Sequence, residues 1–179
     1  MSLVPFSSLP LSPEELGNIE SMGFHAMTPI QAQSLPAILE GQDLLAQAKT
    51  GSGKTAAFAI GLLHKLESQS YRTQALILCP TRELAEQVRQ ETRLLARAIP
   101  NTKITTLCGG NPMGPQLTSL EHHPHIVVGT PGRILNHLQR GTLKLDGLQT
   151  LVLDEADRML DMGFHEDIMP MIANTTRDK

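Results

Sequence analysis

Eight residues near the first third of the chain, Ala48-Lys49-Thr50-Gly51-Ser52-Gly53-Lys54-Thr55, have the types and spacing of a phosphate-binding loop. Glycines at 51 and 53 permit the backbone turns that aim successive N–H groups inward. The N–H groups from Thr50 to Thr55 would then cradle phosphate oxygens, with Ser52 inside the loop. Lys54 would neutralise the β- and γ-phosphates, and the Thr55 hydroxyl would hold Mg²⁺. Ala48 stands where the pattern often has its first glycine. The plainer reading is a glycine-rich turn with an exposed lysine. A second cluster tilts the balance. Leu151-Val152-Leu153 runs into Asp154 and Glu155. Asp154 can hold Mg²⁺ through water, and Glu155 can orient or deprotonate an attacking water. Acids here also suit a chain leaving a buried strand and starting a helix. Beside a phosphate loop the metal reading gains, because bound metal and phosphate stabilise one another.

Such groups need a scaffold at the ends of strands. Five short apolar runs recur: 44–48 (LLAQA), 75–79 (ALILC), 104–108 (ITTLC), 126–129 (IVVG) and 150–153 (TLVL). Most are unbroken rather than alternating, so both faces are expected to be buried, as in a parallel sheet. Helical stretches follow the first, second and fourth runs; in the second, Leu84, Val88 and Leu95 recur at near-helical spacing. The alternation predicts an α/β fold, a doubly wound and mostly parallel sheet between helices, with ligands at the C-terminal strand ends. Ahead of it, Ser12-Pro13-Glu14-Glu15 and Thr28-Pro29-Ile30-Gln31 each read as a helix start with a capping box. The second helix is expected to stop near Gly41.

Three further segments share a design. Pro80-Thr81-Arg82, the Gly109-Gly110 pair and Thr130-Pro131-Gly132-Arg133 each follow an apolar run. Thr81 and Thr130 are candidate N-caps and Pro131 a first helical residue. Helix N-termini and two arginines would offer donors to phosphates without reading bases, or they are simply ordinary capped turns. The run Glu121-His122-His123-Pro124-His125 lacks paired metal-ligand spacing, so no metal is assigned there.

Composition narrows the setting. The 179 residues suffice for one domain with a core; 40% are hydrophobic and 18% charged. A net charge of −3, with a pI near 6.1, argues against a broad basic surface. No apolar run approaches the roughly 18 residues of a membrane span, and residues 1–10 do not read as a secretion signal. Cys79 and Cys108 end apolar runs and read as buried free thiols in a reduced cytoplasm. A monomer without membrane partners is expected.

Asp154-Glu155-Ala156-Asp157, after a strand and alongside Ala48–Thr55, resembles the signature of the DEAD-box RNA helicases. Gly23–Gln31 resembles that family's Q motif, with Phe6 at its upstream aromatic. Residues 80–85 (PTRELA), Gly109-Gly110 and 130–133 (TPGR) are similar to its RNA-contacting motifs. The resemblance spans residues 6–164, and the linking text is most similar to the bacterial DbpA subgroup. Met27 departs from it, standing where the family usually has proline.

The resemblance implies a RecA-like P-loop NTPase domain that uses ATP and Mg²⁺. It gives Gln31 a second role besides capping. A carboxamide can make two hydrogen bonds to adenine, with Thr28 beside it and Phe24 stacked on the base. For Phe24, packing at a helix end is the alternative. Pro80, Thr81, Arg82, Gly109, Gly110, Thr130, Pro131, Gly132 and Arg133 would contact RNA backbone. Lys54, Asp154 and Glu155 would act in hydrolysis, and Asp157 in coupling to a second RecA-like domain that carries arginine fingers. The family's next motif, Ser-Ala-Thr on a strand lying between the P-loop strand and the DEAD strand, does not appear in the sequence. A gap in the sheet is therefore expected, as is a chain that binds nucleotide but unwinds little alone. The implied substrate is RNA, ribosomal RNA by analogy with the subgroup.

Overall fold

The computed structural model describes residues 2–175. Met1 and residues 176–179, the two ends of the single domain expected over 1–179, lie outside the described residues. The backbone gathers into two compact units. One runs up to Glu67 and includes Gln90–Pro100; the other comprises Ser68–Arg89 and the chain from Asn101 onward.

The first unit holds α1 (Pro13–Ser21), α2 (Pro29–Leu39), α3 (Lys54–His64) and the last turns of α4 (Arg82–Leu95). Helix α1 starts as its sequence predicts. The Ser12 hydroxyl accepts from the Glu15 N–H at 3.1 Å, and a Glu15 carboxylate oxygen accepts from the Ser12 N–H at 2.7 Å. Glu15 also meets His64 Nδ1, in the last turn of α3, at 3.1 Å. The Asn18 amide donates to the carbonyls of Leu94 and Leu95, both at 2.9 Å, satisfying acceptors that the end of α4 leaves over. Helix α3 is lined by Ala56, Ala57, Ala59, Ile60, Leu62 and Leu63, all buried. Small residues there let α2 approach closely: a Cβ on Gly61 would collide with the Ile38 side chain.

The second unit is a four-stranded parallel sheet with helices. Strands β1 (Ala75–Leu78), β2 (Ile104–Leu107), β3 (Ile126–Gly129) and β4 (Thr150–Leu153) stand in the order β2-β3-β1-β4. Register is fixed by Ala75 opposite both Ile126 and Thr150, and by Ile104 opposite Ile126. The central strands β1 and β3 are buried throughout, which is why their sequences are unbroken apolar runs. Strands β2 and β4 flank them and are partly open. Helices α5 (Met113–Glu121), α6 (Pro131–Arg140), α7 (Ala156–Asp161) and α8 (His165–Thr175) complete the unit. Leu76, Leu78, Val127, Ile134, Met159 and Met171 form the heart of its core, each contributing about 1.5–3 kcal/mol by burial.

One expectation is corrected. Residues 44–48 form no strand; Leu44 is exposed and Leu45 is 96% exposed. Hydrophobicity alone does not make a strand: backbone N–H and C=O groups need a neighbouring ladder, and no described strand pairs with this segment. The other four strands fall within a residue of their expected bounds. Helix α5 is an element the pattern hides. Pro112, Gly114 and Pro115 read as breakers, but Pro115 falls in the first helical turn, where its missing N–H costs nothing.

Candidate functional site

In the first unit the loop 48–53 feeds into α3. Gly51 and Gly53 take φ of +79° and +90°, the left-handed geometry their spacing predicts. Gly53 is the N-cap, so Lys54 and Thr55 open the helix among N–H groups with no intrahelical partner and at the positive end of the dipole. A side chain at position 53 would be strained by the φ of +90°, and its Cβ would lie 2.5 Å from Gln31 Nε2 and 3.0 Å from Thr28 Oγ1. The Ser52 hydroxyl is buried without a hydrogen-bond partner. Such an orphan costs about 1–3 kcal/mol. A phosphate oxygen would satisfy it together with the first N–H groups of α3, so these residues fit nucleotide phosphates.

Gln31 is the cap that the sequence suggests, and more. Its Oε1 accepts from the Thr28 N–H at 2.9 Å, which caps α2. Its Nε2 donates to the Gly53 carbonyl at 3.1 Å, which ties α2 to the phosphate loop. The Thr28 hydroxyl is a second buried oxygen with no partner. Phe24 is half-buried. Phe6 and Met27 are buried, and the Met27 N–H donates to Val4 O at 2.8 Å, so the departure from proline supplies a donor that anchors the N-terminal segment.

In the second unit all four strands run the same way, so the residues that follow them emerge at one edge. Pro80 is buried after β1, and Thr81 Oγ1 accepts from the Leu84 N–H at 3.3 Å, the expected N-cap of α4. Thr130 also occupies an N-cap position, ahead of Pro131 at the start of α6. Its hydroxyl does something else: it accepts from the Gly109 N–H at 3.0 Å and so pins the glycine pair. Gly110 has φ of +84°. Next to it stands Asn111, which belongs to none of the three segments. Arg82 Nη1 donates to Asn111 Oδ1 at 3.4 Å, and Arg133 Nη1 donates to the Asn111 carbonyl at 2.9 Å. The three expected phosphate-contacting segments are thereby brought together around one turn. An asparagine after a left-handed glycine is ordinary turn chemistry, the signal that could have found it. Gly132 is exposed, and a Cβ there would lie 3.9 Å from Asp167 Oδ2.

Asp154 follows β4. It is buried, and its N–H donates to the Leu78 carbonyl at 2.9 Å, extending the ladder to β1. Glu155 sits at φ 53°, ψ 52°, a left-handed conformation rare outside glycine, and forms the N-cap of α7. Arg158 Nη1 donates to its carboxylate at 3.2 Å. Asp157 is exposed, and its Oδ1 accepts from the Arg158 N–H at 2.9 Å. Burial, with the Asp154 charge beside it, pushes the Cys79 thiol up; burial also raises Cys108. Both are free and inert thiols at neutral pH. Of the histidine run, His125 is fully buried: its Nδ1 accepts from the Lys103 N–H at 3.0 Å, and its Nε2 donates to the Ser68 carbonyl at 3.0 Å. That is a structural brace between three chain segments at the opposite ends of the strands.

Comparison with known proteins gives the same picture. A family model of DEAD/DEAH box helicases matches residues 28–179. The ATP-dependent RNA helicase DbpA of Escherichia coli (strain K12) is 60% identical over 171 residues, which is 95% of this chain and 37% of that protein. The DEAD-box ATP-dependent RNA helicase CshA of Geobacillus kaustophilus is 44% identical over 177 residues, covering 99% of this chain and 38% of the relative. The crystal structure of a DEAD box protein from the hyperthermophile Methanococcus jannaschii superposes with a TM-score of 0.92 at 43% identity, over 100% of this chain and 49% of that one. The chain thus spans a little over a third of the length of these curated relatives. With its phosphate loop, its acidic strand end and a matching family model over most of its length, the chain belongs to the DEAD/DEAH box helicase family.

Proposed function

We propose that the chain is the first RecA-like, ATP-binding domain of an ATP-dependent RNA helicase. The observation that carries the RNA side is the gathering of Arg82, Gly109–Asn111 and Arg133 at one edge of the sheet. Those donors suit a phosphodiester backbone and ignore base identity. On the nucleotide side, the N–H groups from Thr50 to Thr55 and the Lys54 ammonium hold phosphates. Gln31 and Phe24 read and stack adenine. Thr55 and Asp154 are the residues that would hold Mg²⁺, which when bound supplies charge neutralisation at the phosphates. Glu155 orients and deprotonates the attacking water, and Asp157 couples to a second RecA-like domain.

That second domain contributes arginine fingers, which are typically worth about 10³–10⁵ in rate. The chain alone therefore binds nucleotide but hydrolyses it slowly. In the whole protein, closure of the two domains on ATP and RNA separates short duplexes locally, and product release reopens them. Similarity to the DbpA subgroup supports ribosomal RNA as substrate, in ribosome assembly in the cytoplasm.

The test is ATP hydrolysis by this chain, alone and mixed with the second RecA-like domain of a relative, with single-stranded RNA or DNA. Stimulation only in the mixture and only by RNA is expected, since 2′-OH contacts separate the two nucleic acids. Equal stimulation by DNA would point instead to a general nucleic-acid ATPase. Full RNA-stimulated turnover by the chain alone would overturn the division of labour.

A further inference from the structure

Behind Arg133 lies a buried polar chain that the family motifs do not include. Gln116, on α5, and His137, on α6, are 5% and 0% exposed. The Gln116 Nε2 donates to the carbonyl of Cys108 at 3.0 Å, just before the glycine pair. Its Oε1 accepts from Arg133 Nη1 at 3.1 Å and lies 2.8 Å from His137 Nε2. The orientation of the amide is forced, because a carbonyl can only accept and a guanidinium can only donate. His137 must therefore donate from Nε2. Its Nδ1 then lies 2.8 Å from the Thr142 hydroxyl, whose one hydrogen is within reach of both that nitrogen and the His137 carbonyl at 3.1 Å, while the same carbonyl takes the N–H groups of Thr142 and Leu143.

Gln116 and Arg133 thus clasp the glycine turn from both sides, at Cys108 and at Asn111. Arg133 Nη1 spends both its hydrogens on this clasp, on Asn111 O and Gln116 Oε1. Arg133 is only half-buried. Its remaining edge, Nε and Nη2, is the fork that matches two oxygens of a phosphate. A guanidinium held by one edge loses less freedom on binding than one free on the surface.

We propose that Gln116 and His137 are positioning residues for RNA-backbone binding, fixing one edge of Arg133 and the Gly109–Asn111 turn so that the other edge meets a phosphodiester. This rests on reading the start of α6 as an RNA contact. The two residues touch no RNA; they act through Arg133.

The experiment is binding of a fluorescently labelled oligouridylate to the chain over a range of salt. Wild type, Gln116→Met, Arg133→Ala and the double variant are compared. Thermal melting and binding of a labelled adenine nucleotide serve as checks of folding. Gln116→Met removes no charge. It is expected to weaken RNA binding at least fivefold and, by displacing one phosphate contact, to lower the salt slope by about 0.7. Arg133→Ala should do the same and the double variant no more than either, because both act through one contact. Loss of stability in Gln116→Met with RNA affinity and slope unchanged, or full additivity in the double variant, makes the network purely structural and overturns the proposal. If Gln116→Met does not fold, His137→Phe takes its place, keeping a ring without the donor, read against His137→Gln, which can still donate. Equal affinity of those two variants overturns the proposal. A wild-type chain that binds no RNA, or binding indifferent to Arg133→Ala, removes the RNA reading itself and the proposal with it.

Discussion

The carboxamide of Gln31 is bonded at both ends within the protein, to the Thr28 N–H at 2.9 Å and to the Gly53 carbonyl at 3.1 Å. Gly53 is also the N-cap of α3, one residue before Lys54. The residue proposed to read adenine is thus the residue that holds the phosphate loop, and base recognition has to exchange one pair of hydrogen bonds for another. Guanine presents acceptors at both positions where adenine presents a donor and an acceptor, leaving one group of the amide unpaired. In competition against a labelled adenine nucleotide, ADP is expected to outcompete GDP by tenfold or more, about 1.4 kcal/mol. Gln31→Ala should erase that preference while the chain stays folded. If ADP and GDP compete equally in the wild type, Gln31 is a cap and a tie to the loop, with no part in base selection.

The same contact makes Gly53 unusually intolerant. Gly53→Ala would set a methyl 2.5 Å from Gln31 Nε2 at a φ of +90°. The conformation alone costs about 1–2 kcal/mol for a residue with a Cβ. Chemical denaturation should show at least that loss, and nucleotide binding should vanish. Adding Gln31→Ala removes the nearest colliding atom, so part of the stability should return without the binding. A double variant no more stable than Gly53→Ala would show that the strain is in the backbone and not in the contact.

How much of this was legible in the sequence depended on whether the signal was local. The Ser12–Glu15 capping box, the left-handed glycines of the loop and the unbroken runs of β1 and β3 are written in adjacent residues, and each appears where its pattern puts it. The segment 44–48 misled because a strand is a relation between segments, and hydrophobicity at one place says nothing of a missing neighbour. Thr130 misled in a subtler way: an N-cap threonine has a choice of donors, and the Gly109 N–H, 21 positions away, wins over its own helix. Gln116 and His137 were invisible for the same reason, since a glutamine and a histidine on two helices give no local sign of sharing a proton.

Leu45 offers a direct check on the unpaired segment. At 96% exposed it has almost no apolar contact to lose. Leu45→Ser is expected to change the stability of this chain by less than about 0.5 kcal/mol, as at other surface sites. Leu76→Ala, in the core, should cost about 2–5 kcal/mol. Hydrogen exchange should find the amides of 44–48 poorly protected. A cost above 2 kcal/mol for Leu45→Ser, with slow exchange there, would mean that the segment is paired in solution.

His137 gives the chain a pH dependence with a definite sign. Burial first, and then the charges of Arg133 and Arg140, hold its pKa below the ordinary imidazole value. The unfolded chain takes up this proton near pH 6.5, whereas the folded chain takes it up only at lower pH. Between those points the unfolded state binds more protons, so stability falls as the solution is acidified through that window. The effect is absent well above pH 7 and complete once the folded site is protonated. Glu86 acts elsewhere: the hydrogen bond from Arg89 depresses its carboxyl, so its contribution is lost only below about pH 4.5. Melting temperatures of wild type and His137→Gln, followed from pH 7.5 to 5.0, isolate the imidazole from the other histidines. The wild type should lose more on acidification, with about 2–4 °C of extra decline for each kcal/mol involved. Parallel decline in the two proteins would mean that His137 keeps its ordinary affinity for protons in the fold. The neutral Nε2–H donor that Gln116 requires would then not be held against protonation by burial.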